Sequence, residues 1–425
     1  EDTTIQYPAS YFSEYSPVTA KDMIDRIPGL EGSSRGGFRP GGGGRGGRGL
    51  GSGSGGSQTL INGKRTAGKN NSTGDLLSRI TADQVNYIEI IRGTSGELDV
   101  RGSAQVVNVV LFEELSNSSI SYEVNMDRYR DGENQPGGNV SYSNKIGNLD
   151  FVLSASAEPR YEHAESEEYS ILGDFSPNDT VIEDSIREQT SYDYSVNLDY
   201  EISAANSFRL NGLYSENDNE TEVFRATTDL TVTPYFIENE REDVPTDQSN
   251  WEIGGDYEFL RDNGNRFKVL FISNSYDRSN VRERYNVAID GSESKNLFLS
   301  SGSTTRERIV RGSYTLDLRD NQDLEFGLER AQTILDSNLG LGIASSTGTP
   351  SDAFGGLVPI PVSNANSTVE EMRYEPFVIH NWNINSRMSL ESTLLYETST
   401  IEQWGDINNK RDFDSFSSFV SHKEE

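Results

Sequence analysis

The chain has 425 residues, a formal net charge of −31, no cysteine, and 33% apolar residues, with 40 glycines and 20 tyrosines. That charge repels phosphate backbones and argues against a nucleic-acid partner, and the cysteine count excludes disulfides, thiolate catalysis and Cys-ligated metals. No apolar run approaches the ~20 residues of a transmembrane helix, so a span made of helices is excluded and a span made of strands is not. The low share of apolar residues fits the second case, because half of each strand of a transmembrane barrel faces an aqueous lumen.

Glu1–Tyr15 (EDTTIQYPASYFSEY) is short and polar, and by itself reads as a flexible terminus. A short helix is predicted over Ser16–Ile27. Ser16 or Thr19 caps it, Pro17 suits its first turn, Val18, Met23, Ile24 and Ile27 share a face, and Pro28-Gly29 ends it. Glu31–Ser57 is a low-complexity Gly/Ser tract carrying Arg35, Arg39, Arg45 and Arg48. Glycine at that density cannot recover its ordering entropy by burial, which predicts a mobile loop. Thr59–Asn62 reads as a strand closing on the turn signal Asn62-Gly63, and Gly74–Ile80 as a second helix with Leu76, Leu77 and Ile80 inward. Two β-branched runs, Tyr87–Ile91 and Val106–Leu111, are bounded by turn residues and read as buried strands. They complete a small α/β domain ending near Leu115.

From Ser118 the pattern changes to strict period-2 alternation. Trp251, Ile253, Gly255, Tyr257 and Phe259 alternate with Glu252, Gly254, Asp256 and Glu258; Tyr192, Tyr194, Val196, Leu198 and Tyr200 alternate with Asp193, Ser195, Asn197 and Asp199; Leu324, Phe326 and Leu328 alternate with Asp323, Glu325, Gly327 and Glu329. Acidic groups on the second face need water rather than a core, and a strand with one face in lipid and one in a wet lumen satisfies both. Tight turn signals stand at Asn144–Asn148, Ser203–Asn206, Arg261–Asn265, Arg319–Gln322 and Asn383–Ser386. The acidic stretches Arg160–Glu188, Glu216–Gln248, Tyr276–Ser294 and Asp336–Ser367 lie between them and are predicted as long outer loops. This grammar predicts about twelve antiparallel barrel strands.

No catalytic constellation stands out, and no cofactor is expected. The three histidines, His163, His380 and His422, are far apart; His163 falls in a predicted outer loop and His380 on a strand, and the plain reading of both is a solvated or interfacial side chain. The clusters Glu216–Glu222 and Asp174–Asp184 contain oxygen ligands of the kind Ca²⁺ takes, but lack a defined loop spacing, so the plain reading is a solvated acidic loop.

The blocks IPGL (Ile27–Leu30), LINGKR (Leu60–Arg65) and IEIIRG followed by VVNVVL (Ile88–Leu111) stand in the order found in the plug domain of TonB-dependent outer-membrane receptors, and this part of the chain resembles that family. Asp99-Val100-Arg101-Gly102 departs from the aromatic-glycine pair usual there, which leaves the ligand class open. The resemblance implies three parts: a periplasmic segment over 1–15, a plug over 16–115, and a partial transmembrane barrel over 116–425. It also implies a TonB-contacting segment at Asp2, Thr3, Thr4, Ile5 and Gln6, which would add as a strand to an edge of TonB. Arg92 would pair with glutamates of the barrel wall, or locally with Glu89 or Glu97. Arg35, Arg39, Arg45 and Arg48 would sit on a plug loop facing the ligand. The implied function is energy-coupled import of a specific ligand such as a siderophore, oligosaccharide or peptide across the bacterial outer membrane. The implied partners are the TonB complex, outer-membrane lipid and an extracellular small ligand. A passive porin or adhesin-type barrel is the alternative, and a separate N-terminal domain argues against it.

A plugged barrel of this kind closes with about 22 strands, and a circle of about twelve is too narrow for a ~100-residue plug. The fold expected is therefore an α/β plug followed by an open, incomplete barrel whose first and last strands are unpaired with each other. The charged end Phe419–Glu425, where such barrels commonly finish on a terminal aromatic, points the same way.

Overall fold

The computed structural model describes residues 4–15, 17, 19–28, 58–61, 77, 80, 82, 85–91, 106–111, 118–319, 321–385 and 388–424. The Gly/Ser tract with Arg35, Arg39, Arg45 and Arg48, and Arg92, lie outside these residues, as does the second predicted helix except for Leu77 and Ile80.

The N-terminal domain is a four-stranded sheet in the order β1-β3-β4-β2. Its strands are β1 (Ile5–Pro8), β2 (Gln58–Ile61), β3 (Val85–Ile91) and β4 (Val106–Leu111). β1 and β4 run antiparallel to β3, and β2 runs parallel to β4. Val85, Ile88 and Ile90 of β3 and Val107 and Val109 of β4 are buried in one cluster with Phe12, Met23, Ile24 and Ile27. A register shift between Val85 and Tyr87 brings an odd and two even positions of β3 to the same core. On β4, Val106 to Val109 are all buried, so both faces are covered, as an unbroken apolar run implies. Asn108 is accommodated there by donating to Glu89 Oε1 at 2.6 Å.

Helix α1 (Ala20–Ile24) is shorter than the predicted span, and of the two candidate caps Thr19 serves. Its Oγ1 accepts from the Asp22 amide at 3.2 Å, and Asp22 Oδ2 accepts from the Thr19 amide at 2.9 Å, a reciprocal capping box. The domain also starts earlier than expected. The segment predicted as a loose terminus supplies β1, a 3-10 helix over Ala9–Tyr15, and Phe12, which is wholly buried. Fully burying such a side chain contributes about 1.5–3 kcal/mol, enough to anchor an otherwise polar segment.

Residues from 119 onward form a second, antiparallel sheet. Its strands are β5 (Ser119–Arg128), β6 (Asn134–Ile146), β7 (Leu149–Ile171), β8 (Pro177–Ser203), β9 (Asn206–Asp229), β10 (Phe236–Asp243), β11 (Thr246–Leu260), β12 (Arg266–Val287), β13 (Glu293–Arg319), β14 (Gln322–Ile343), β15 (Val358–Ile360), β16 (Asn366–Asn385), β17 (Met388–Gly405) and β18 (Asn409–Glu424). These 14 strands occupy the predicted twelve positions, because β10 and β11 share one slot between β9 and β12 and β15 is a short side branch on β14. The break between β10 and β11 falls at Val244-Pro245, where proline has no N–H for the ladder. Among the described residues β5 pairs with β6 and β18 with β17, and those two edge strands do not pair with each other.

The tight links lie where the turn signals stand: Ile146 to Leu149, Ser203 to Asn206, Leu260 to Arg266, Arg319 to Gln322 and Asn385 to Met388. Gly147 and Gly264 in two of them take positive φ, of 61° and 84°. The opposite ends correct the loop expectation. The stretch 160–188 is hydrogen-bonded ribbon, with β7 and β8 paired out to Ile171 and Pro177, and 216–248 is likewise largely paired strand. β8 has 27 residues, against the ~9–11 a strand needs to cross a bilayer. In these outer halves both faces carry polar side chains, so apolar alternation vanishes from the sequence while the backbone ladder continues.

The two faces of this sheet are inverted relative to a soluble core. On one, Ile120, Tyr122, Val124 and Met126 of β5 are 68, 76, 83 and 63% exposed. The register continues this apolar face through Val140, Leu153, Val196, Ile253, Val310, Leu328, Val378 and Leu394, all of them exposed or half-exposed. On the other face the buried residues are mainly polar or charged: Asn197, Arg209, Asn211, Glu252, Asp256, Lys268, Asn274, Arg311, Glu329, Arg373 and Glu375. No helix among the described residues is long and apolar enough to cross a membrane.

Candidate functional site

The buried charges of the second face come from strands whose alternation sets one acidic or basic residue at every second position. The ladder then joins them across strands. Arg209 of β9 stands opposite Asp256 of β11 and donates to its Oδ1 from Nε at 3.0 Å and Nη2 at 2.6 Å. Arg311 of β13 stands opposite Glu329 of β14, which stands opposite Glu375 of β16. Arg373, two residues from Glu375 and so on the same face, donates to Glu329 at 2.7 Å and to Glu375 at 3.4 Å, and lies 3.6 Å from Glu397 of β17. Arg311 completes the group, 3.5 Å from Glu329, with its guanidinium 4.1 Å above the Phe377 ring. Gly327 makes room for that ring, since a Cβ there would lie 2.5 Å from Phe377. Glu329 is 1% and Arg373 3% exposed. Charges buried this deeply persist only when paired.

A second charged group lies on the extended ends of the strands. Arg225 of β9 binds Glu183 of β8 at 2.7 Å and reaches Glu240 and Glu242 of β10 at 3.4 and 3.3 Å. Arg282 and Arg284 of β12 close on the same two glutamates at 2.6 and 3.2 Å. Arg241 points to the opposite face, binds Asp243 and Glu293, and lies 4.7 Å over the Tyr285 ring. Donating to Glu293 holds the Arg241 pKa above its ordinary value, and Arg241 in return lowers that of Glu293. Strand pairing thus neutralises part of a very acidic surface locally.

Of the residues expected to contact TonB, Asp2 and Thr3 lie outside the described residues and Thr4 precedes β1. Ile5 and Gln6 are in β1, opposite Ile90 and Glu89. Arg92 and the loop arginines have no described position. Arg209, Arg311 and Arg373 escaped the sequence reading; Arg311 and Arg373 share parity with acidic positions of their own strands, Glu307 and Glu375, whereas Arg209 meets its acidic partner only across the ladder, at Asp256.

The acidic clusters behave differently from one another. Glu216–Glu222 is continuous strand, so its four carboxylates line one face of β9 in a row rather than wrapping around a loop. Asp174 instead accepts from the amide and hydroxyl of Ser176 within a turn. Among the described residues one His/carboxylate group brings its ligand atoms within 4.8 Å of one another: His163, Glu165 and Asp184. His380 lies on β16, 3.3 Å from Gln322.

No protein-family model and no curated protein matches the chain. Among solved structures it is similar to the copper transporter OprC, with 12% identity over 87% of this chain and 52% of that chain and a TM-score of 0.43. It is also similar to the ferric citrate transporter FecA in its unliganded form, with 11% identity, 95% and 74% coverage and a TM-score of 0.32. A third is the ferric-catecholate import receptor Fiu from E. coli K12 in its open form, with 10% identity, 98% and 80% coverage and a TM-score of 0.34. The chain spans about half the length of OprC.

Proposed function

We propose that this chain is a TonB-dependent receptor of the bacterial outer membrane, with a plug domain followed by barrel strands, that imports a specific extracellular ligand such as a siderophore, an oligosaccharide or a peptide. The observation that carries the membrane part is the inverted sheet: a twelve-position antiparallel wall with an exposed apolar face and buried charges opposite. In lipid, backbone polar groups must be satisfied within the sheet, which a closed barrel achieves and an open edge does not. The edges at β5 and β18 therefore call for further strands in the assembled wall.

The plug motifs support the receptor part. In this reading TonB takes the N-terminal segment, Asp2 to Gln6. A pull there first loads the β1–β3 ladder, from Ile5–Ile90 to Pro8–Tyr87, and then the core through Phe12. Outer-membrane lipid contacts the apolar face, and the small ligand enters from the side of the extended ribbons.

The test uses cells carrying the full-length protein. Deleting Glu1–Gln6 is expected to abolish energy-dependent uptake of the cognate ligand, found from a ligand panel, while surface binding persists. Uptake that continues without an energised inner membrane would show a passive porin instead.

A further inference from the structure

We propose a divalent transition-metal site on the lipid-side face of the β7–β8 ribbon, with His163, Glu165 and Asp184 as ligands and Asp131 holding the imidazole in place. This proposal does not rest on the import reading.

Strand geometry brings the ligands together. His163 and Glu165 are two residues apart on β7 and share a face, and Glu165 stands directly opposite Asp184 of β8. His163 Nε2 lies 2.8 Å from Asp184 Oδ1. Donors bound at ~2.0–2.1 Å around a tetrahedral ion lie ~3.3 Å apart, so small side-chain adjustments suffice to admit one.

The other ring nitrogen is provided for. His163 Nδ1 lies 3.2 Å from Asp131 Oδ2. That carboxylate also accepts from the Tyr161 hydroxyl at 2.6 Å and, through Oδ1, from the Glu133 amide at 3.2 Å. A carboxylate fixed from two further sides, accepting the far N–H of an imidazole, is the arrangement that orients metal-bound histidines. It draws on a third element, the β5–β6 turn, so an ion here ties that turn to the ribbon.

The donor set selects the ion. One imidazole and two carboxylates suit Zn²⁺ and its neighbours; Ca²⁺ and Mg²⁺ take oxygen ligands, and soft ions want sulfur. Three protein ligands leave a fourth position for water or for a donor atom of an incoming molecule.

Without an ion both ring nitrogens face carboxylates, and Asp184 and then Asp131 raise the His163 pKa. Metal binding replaces the Nε2 proton: M²⁺ plus imidazolium gives the metal–imidazole bond and one released H⁺, while Nδ1–H stays on Asp131. The groups around the ring are Tyr129, Asp131 and Glu133 at the turn, Tyr161 and Glu165 on β7, and Asp184 and Glu188 on β8.

The location favours access. On this face β7 presents Phe151, Leu153, Ala155, Ala157 and Pro159 beyond its tight turn at Leu149, about the length that crosses lipid. Tyr161, edge-on to Tyr129 at 5.1 Å, follows as an interfacial aromatic would, and His163 comes next.

The test titrates Zn²⁺ into the purified full-length protein in detergent by calorimetry, with Ca²⁺ as the comparison ion. The site predicts one Zn²⁺ bound that Ca²⁺ does not displace. His163→Gln should weaken binding at least a hundredfold, Asp131→Asn about 10–100-fold, and His380→Gln not at all. In the unaltered protein Co²⁺ should show the intense visible bands of a tetrahedral site. Unchanged Zn²⁺ affinity in His163→Gln, equal competition by Ca²⁺, or Co²⁺ with only the weak spectrum of the hydrated ion would each overturn the proposal.

Discussion

The two sheets of this molecule solve opposite problems. In the four-stranded domain Ile88, Ile90, Val107 and Val109 are buried, and Asn108 among them donates to Glu89. In the large sheet most apolar side chains face outward, and Glu252, Asp256, Glu329 and Arg373 are among the least exposed groups, beside a few apolar ones such as Ile272 and Ile309. One is stabilised by withdrawing hydrocarbon from water. The other is stabilised by backbone ladders and paired charges, and in the proposed membrane setting its apolar face gains stability only when lipid replaces water. Mutations of the same kind should therefore act differently in the two regions.

The largest effect is expected where the wall's charges are broken. Arg373→Ala leaves Glu329 and Glu375 short of a partner on a buried face and should cost about 3–5 kcal/mol, read as a lower unfolding temperature of the wall in detergent. Pairing it with Glu329→Gln, which removes the excess negative charge and leaves Arg311 an acceptor, should recover part of that loss. A cost near zero for Arg373→Ala would mean that the charged face is solvated.

Ile88→Ala in the small domain should cost about 2–5 kcal/mol. Its signature is selective: the N-terminal domain becomes sensitive to protease while the heat-modifiable gel migration of the wall is unchanged. Loss of both together would make the two sheets one cooperative unit.

Val378→Arg places a charge on the apolar face between Phe326 and Leu394 of the flanking strands and should cost about 2–4 kcal/mol in a bilayer. In a soluble protein an exposed Val-to-Arg change falls within about 0.5 kcal/mol, so folding efficiency into vesicles separates the two cases.

The smallest effect is local and depends on pH. The His163 pKa is raised above its ordinary 6.5 and the Asp131 pKa is lowered below its ordinary 3.8. The histidine's contribution is complete below its unfolded value and is lost as pH rises through its folded one. The aspartate's is complete above its unfolded value and is lost as pH falls through its folded one. The contact between the β5–β6 turn and the ribbon is thus strongest between the two. Tyr161, with Asp131 as its hydrogen-bond acceptor, has its pKa pushed up to about 12 and stays protonated throughout. In metal-free protein the His163 ring proton resonances should titrate with a midpoint above 6.5, and Asp131→Asn should lower it.

What the sequence disclosed follows from the same contrast. β4 was legible because burial on both faces leaves a nearly continuous β-branched run, β3 because its Ile-rich run is bounded by turn residues, and β11 because an apolar and a polar face leave alternation from Trp251 to Phe259. The links after Ile146 and Leu260 were legible through their glycines. The outer halves of β7 and β8 were not, since two wet faces impose no period on side chains. β1 and Phe12 were hidden because one buried aromatic in a polar segment makes no pattern. Arg311 with Glu329, and His163 with Asp184, are cross-strand pairs, and their meeting depends on register, which no single strand reveals.

The inversion itself is tested most directly by accessibility along one strand. The chain has no cysteine, so single substitutions can be walked along β11 from Trp251→Cys to Glu258→Cys in the protein reconstituted into vesicles, each carrying a nitroxide label. Collision rates with oxygen, which concentrates in lipid, and with a water-soluble nickel chelate should alternate with period two. Oxygen should dominate at Trp251, Ile253, Gly255 and Tyr257 and be low at Glu252, Gly254, Asp256 and Glu258. Equal collision with the nickel chelate on both faces would contradict the account, and this sheet would then stand in water.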